Sequence, residues 1–186
     1  MAHGLLRMAA AAAFLLAATS SVAADQKDPR LDALFAVLQV SQDAEEVRVS
    51  ELEIWRIWMQ SDDAEADSLM ARGLAAMHAR DMERALAIYS ELVAKAPDFA
   101  EAWNKRATVY FVMGELKASL ADVERTLALE PRHFGALSGA GQIQLQRGLL
   151  RPAYEAFRRA LAVNPHLRGP RMFVDMLRDE IEGKPL

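Results

Sequence analysis

The side chains that could do chemistry are few and scattered. His3, His78, His133 and His166 lie far apart, and none has a second ligand at helical spacing, so neither zinc nor iron is expected. The chain has no cysteine, no GxSxG, no HExxH and no glycine loop of the phosphate-binding kind. The run LSGAGQ, Leu137–Gln142, lies inside a helical pattern, where glycine serves close packing. Carboxylates are plentiful, but they follow helix surfaces and turns. These patterns predict no catalytic residues, no metal, no cofactor and no small-molecule substrate. What remains is recognition. Asn104-Lys105-Arg106 sets an amide beside two cations and could hold an acidic group of a ligand. Met77, Phe111 and Leu145 recur at one fixed spacing and could present an apolar stripe to a partner.

The elements that must position these residues are helices in a tandem array. Ala100–His133 reads as two short amphipathic helices. Trp103, Ala107 and Tyr110 mark one face of the first. Leu116, Leu120, Val123 and Leu127 mark the second, with Gly114 between them and Pro131 at the end. One hairpin cannot bury both stripes, so it needs neighbours. Pro97, Pro131 and Pro165 are 34 residues apart. The same shift superposes Leu69, Trp103 and Leu137; Gly73, Ala107 and Gly141; Ala85, Ser119 and Ala153; and Tyr89, Val123 and Phe157. Small residues recur where helices must touch, and large ones where a hole must be filled. Three units follow: 66–99, 100–133 and 134–167.

Residues 25–65 read as two more helices, Leu31–Val40 and Glu45–Gln60. Val49, Leu52, Trp55 and Trp58 lie along one side of the second. Phe35 and Trp55 fall one period before Leu69 and Tyr89. This degenerate pair is expected to cap the open end of the stack, with its tryptophans in the core; the alternative is that they mark an interface. Residues 168–186 are expected to form a C-terminal capping helix and tail. Met172, Phe173, Met176 and Leu177 give that helix one apolar edge, and charged residues make up the rest.

The pattern resembles the tetratricopeptide repeat family. The middle unit carries it through Trp103, Ala107, Tyr110, Gly114 and Pro131. The third carries it through Gly141, Gly148, Ala153, Phe157, Ala160 and Pro165. The first has Gly73, Ala85, Tyr89 and Pro97, with Ala76 in place of tyrosine and Arg80 in place of the turn glycine. The resemblance covers 102 of the 186 residues. It implies an all-α, right-handed α-solenoid of three helix hairpins, whose first helices line a concave groove for an extended peptide or a helix. Carried over residue by residue, the partner-binding residues are Met70, Leu74, Met77, His78, Asn104, Lys105, Thr108, Phe111, Gln142 and Leu145. One family subgroup grips a terminal carboxylate with lysine, asparagine and arginine. The matching positions here are Met70, Leu74, Lys105, Gly135 and Gly139, so that clamp is absent. Arg72 and Arg106 stand where the family prefers a buried leucine, which predicts an ion pair with a neighbouring carboxylate. The apolar wall is either open to a partner or covered by the N-terminal segment. The implied function is a non-enzymatic scaffold for a protein or peptide partner. The alternative is an accessory subunit of an envelope assembly, its groove permanently filled, that makes contacts through its convex face or ends.

The first residues bear on location. Met1–Arg7 is short and positively charged, Met8–Ala18 is an apolar run of 11 residues, and small residues follow to Ala24. Residues 1–24 therefore read as a secretory signal. Eleven residues fall short of the roughly 20 that span a bilayer, so membrane contact is expected only through the uncleaved signal. The protein is expected to be exported, and periplasmic if the source is Gram-negative. Its net charge of −4 argues against nucleic acid and against an anionic membrane surface. N-terminal sequencing of the mature protein should show cleavage after Ala23 or Ala24. A chain retaining Met1 in the membrane fraction would overturn this.

Overall fold

The computed structural model describes residues 25–181 and residue 183. The expected leader over 1–24 lies outside the described residues. Among the described residues the chain forms nine helices and no strand: α1 (Arg30–Val40), α2 (Ala44–Trp58), α3 (Ala64–His78), α4 (Met82–Lys95), α5 (Ala100–Val112), α6 (Leu116–Leu129), α7 (Phe134–Gln146), α8 (Leu150–Val163) and α9 (Arg168–Ile181). Helices α3 to α8 are three hairpins stacked into an all-α solenoid. Asp43, Asp63 and Asp81 cap α2, α3 and α4 by accepting hydrogen bonds from the first free backbone N–H groups. Each hairpin turns through a left-handed residue: Arg80 at φ 59°, Gly114 at φ 81° and Gly148 at φ 73°. Glycine adopts this conformation freely, whereas it costs arginine about 1–2 kcal/mol. The first hairpin thus keeps the turn geometry without the turn glycine.

The repeated small and large columns meet inside each hairpin. A Cβ on Gly73 would lie 2.5 Å from the Tyr89 ring, and one on Gly141 would lie 2.5 Å from the Phe157 ring. In the middle hairpin Ala107 and Val123 share one cluster, and Ser119 Oγ donates to the Ala107 carbonyl at 2.7 Å. A ring faces glycine and a smaller valine faces alanine, so the interhelical gap is filled each time. Arg106 pairs bidentately with Asp122 at 2.7 and 2.8 Å, as an ion pair in that column predicts. Arg72 does not follow: it is exposed, and the position matching Asp122 is Ile88.

Helix α9 closes one end. Val174 and Leu177 are buried with Ala153 and Phe157. The positions that would pack a further helix are Arg171, Asp175 and Arg178, where the repeats carry Leu137, Gly141 and Gln144. The stack therefore ends on a charged face. The expected apolar edge is only partly right, because Met172 and Met176 are 60% and 44% exposed.

The N-terminal pair corrects the expectation of a cap. The outer face of α3 is Ser68, Arg72, Ala75 and Ala79, all exposed. It offers little apolar area, so nothing drives α1 and α2 to stack there. Helix α1 instead runs along the turns between repeats. Gln26 Nε2 donates to the Asp98 carbonyl at 2.6 Å, Arg132 pairs with Asp32 at 2.7 Å, and Gln39 Nε2 donates to the Ala162 carbonyl at 3.0 Å. Helix α2 returns across the face formed by the first helices of the hairpins. Its buried residues are Val47, Ser50, Ile54, Ile57 and Trp58, while Val49 and Leu52 are exposed. The stripe read through Val49, Leu52, Trp55 and Trp58 is thus displaced, and Trp55 does not occupy a place equivalent to Tyr89. In urea denaturation, Gly141→Leu should lose about 1–3 kcal/mol by overpacking against Phe157. Gly139→Leu, where a Cβ meets nothing within 4 Å, should lose far less. Equal losses would mean the ring contact does not set the helix spacing.

Candidate functional site

The inner face is built from α3, α5, α7 and α9, and α2 divides it. The half toward the helix N-termini is closed. Trp58 stacks on His133 with centroids 4.1 Å apart, and Trp55 meets Phe134 edge-on at 5.3 Å. Beneath them lies Glu101, 1% exposed. His133 Nδ1 accepts from the Ala136 N–H at 3.1 Å, which leaves the proton of a neutral ring on Nε2. Nε2 then donates to Glu101 Oε2 at 2.7 Å, and Asn104 Nδ2 donates to the same oxygen at 2.9 Å. Lys105 Nζ stands 2.9 Å from Glu101 Oε1 as an ion pair, off the line of a hydrogen bond. One carboxylate thus joins α5 to α7 under the cover of α2. Burial alone would raise the pKa of Glu101. The charge of Lys105 and the hydrogen bond from His133 outweigh burial and hold the carboxyl below the ordinary glutamate range.

The predicted partner-binding residues divide accordingly. Met70 is buried in the core of the first repeat, and Leu74 and Met77 pack half-buried against it. Asn104 is buried and Lys105 is half-buried, both engaged by Glu101, so neither is free for an acidic ligand group. These placements correct Met70, Asn104 and Lys105 as groove contacts. His78 is exposed at the end of α3. Thr108, Phe111, Gln142 and Leu145 come together on the open half, in the surface that also carries Val112, Gln146 and Phe173. This surface is an open depression of about 510 Å³ over α5, α7 and α9, with a smaller cleft beside it. Thr108 and Gln142 are exposed, while Phe111 and Leu145 are half-buried with their faces in the core. Among the described residues, none that lines the depression is charged.

Sequence reasoning missed Phe173 as part of this surface. Carrying the period one step further would have found it, since 173 follows Gly139 by 34. It also missed the role of Glu101, because a carboxylate at the start of a helix reads as solvated. Among the described residues no group of three or more metal-ligating side chains converges, and no helix is long and apolar enough to cross a membrane.

A sequence profile described as Tetratricopeptide repeat matches residues 60–100, 70–121 and 104–167. A TPR repeat-containing protein of Rhizobium etli is 37% identical over 154 residues, which cover 83% of this chain and 76% of that one. Superkiller complex protein 3 of Homo sapiens is 30% identical over 113 residues, 60% of this chain but 7% of its own length. Among solved structures, the first TPR of Spaghetti (RPAP3) bound to an HSP90 peptide aligns with a TM-score of 0.62 at 18% identity. It covers 65% of this chain and 96% of that domain.

The Glu101 cluster gives a pH test. A carboxyl whose folded pKa is depressed stabilises the fold above its unfolded value, near 4.5. That stability is lost as pH falls through the folded value. Glu101→Gln should cost about 1.5–3 kcal/mol at neutral pH, toward the low end because Lys105 is partly solvated. The gap from the wild type should narrow below pH 4.5. A gap that stays constant with pH would remove the charge from this account.

Proposed function

The chain belongs to the tetratricopeptide repeat family, and on that premise we propose that it is a non-enzymatic scaffold that holds a protein partner on the open half of its inner face. The observation that carries this reading is the uncharged depression over α5, α7 and α9. Phe111, Leu145 and Phe173 supply apolar area there, and Thr108, Gln142 and Gln146 supply side chains for a partner's backbone. Met172 and Met176, exposed on the helix that carries Phe173, offer further adaptable surface. The peptide held by the RPAP3 domain supports a partner of peptide size. A partner gripped by its terminal carboxylate is not supported, because Lys105 is held by Glu101. The charged start and apolar run of residues 1–24 support an exported protein working in the cell envelope.

A second reading draws on α2, which fills half of the inner face with the chain's own side chains. In that reading the protein is an accessory subunit that meets its neighbours through other surfaces. A photocrosslinker placed at Thr108 or Gln146, compared with Glu124 or Arg159 on the second helices, separates the two in the native host. The scaffold reading expects a discrete adduct from the inner face. Val112→Asp should weaken it by about 1–2 kcal/mol, the scale of an interface hot spot. The melting temperature should not move, because Val112 is 58% exposed. Adducts only from Glu124 or Arg159 would replace the scaffold with the subunit.

A further inference from the structure

We infer that the partner is anchored by one short branched aliphatic side chain, valine, leucine or isoleucine, seated over Gly139 in the cleft between α5 and α7. The inference rests on the inner face being the docking surface and adds what that surface selects. The cleft has Ala107, Val123 and Ile143 at its floor, Phe111 as a wall and Gly139 at its mouth, and holds about 80 Å³. An apolar cavity of about 150 Å³ accommodates benzene, so this one suits a smaller branched group.

The hydroxyl donors at the floor of the cleft are already engaged, and Asn104 turns its amide nitrogen to Glu101. Ser119 Oγ donates to the Ala107 carbonyl, Thr108 Oγ1 to the Asn104 carbonyl at 2.9 Å, and Asn104 Nδ2 to Glu101. A carboxylate guest would give up its hydration and find neither a cation nor a free hydroxyl donor at the floor in return, whereas an apolar guest gains by leaving water. At the rim the exposed Gln142 amide has no hydrogen bond to another described residue and can meet the guest's backbone.

The adjoining interface shows how this face holds a helix. Gly135 lies one turn before Gly139 on the same side of α7. A Cβ on Gly135 would lie 2.6 Å from Trp55 Cη2, so a large side chain from a crossing helix sits on a glycine. Gly139 repeats the notch, and a Cβ there would meet nothing within 4 Å. A partner segment lying beside α2 continues the interface that α2 has begun, with its anchor one turn along.

The absence of cysteine makes the test direct. Gln142→Cys carries the sole thiol and is equilibrated under a mild reductant with disulfides bearing isobutyl, ethyl, phenylethyl and carboxyethyl groups. Intact mass reports which is retained. The isobutyl group should be retained about tenfold over carboxyethyl, the discrimination a small apolar pocket supplies. A Glu124→Cys control should retain all four alike. Gly139→Leu fills the cleft and should erase the preference while the helical circular dichroism is kept; Gly139→Ala should reduce it. A flat distribution at position 142, a winning carboxylate or phenylethyl group, or a preference that survives Gly139→Leu would each overturn the anchor. Failure of the tether with inner-face crosslinks intact removes the anchor alone. The opposite result keeps the aliphatic selectivity and removes the scaffold.

Discussion

The spacing of the two helices in each hairpin is fixed by a ring lying on a residue with little or no side chain. Tyr89 on Gly73 and Phe157 on Gly141 leave no room for a single added carbon. Ridge-into-groove packing tolerates such contact only at one register, so the column also fixes which faces of α3 and α7 look outward. The middle hairpin reaches the same spacing with Val123 and Ala107, and a serine hydroxyl closes the remaining gap. Everything presented on the inner face inherits its position from these contacts.

The second constraint is the burial of Glu101. A carboxylate out of water requires compensation, and here it comes from three side chains, two on α5 and one at the cap of α7. His133 serves twice, capping α7 through Nδ1 and bonding Glu101 through Nε2. Its ring then becomes the platform for Trp58. Polar satisfaction of α5 against the cap of α7 and apolar docking of α2 are thus one arrangement, which places α2 on the inner face rather than at the end of the stack.

Much of the fold was legible because it is periodic. The prolines, the small columns and the turn residues each recur three times, and the register needs no insertion to hold. Arg106 was legible too, since a guanidinium in an apolar column demands a carboxylate. The course of α1 and α2 was not legible. Their contacts with Arg132, His133, Phe134 and Val163 join residues about a hundred apart, and no local spacing encodes such a pairing. The candidate site was half legible for the same reason. Thr108, Phe111, Gln142 and Leu145 follow from the groove positions that the family resemblance implies, whereas the fate of Asn104 and Lys105 depends on Glu101 and on what covers it.

Solenoids are held by contacts between adjacent repeats, and their ends can loosen one unit at a time. Helix α1 changes that rule here. With the residues that lead into it, it touches the turn after the first repeat through Gln26, the turn after the second through Asp32, and the end of the third through Gln39. A strut fastened at three joints makes the loss of any one repeat felt by the others. It also delays part of the assembly, because the helices synthesised first complete their contacts only once Ala162 and Val163 exist. Trp55 and Trp58 likewise gain their full cover only when His133 and Phe134 are in place, long after α2 has left the ribosome.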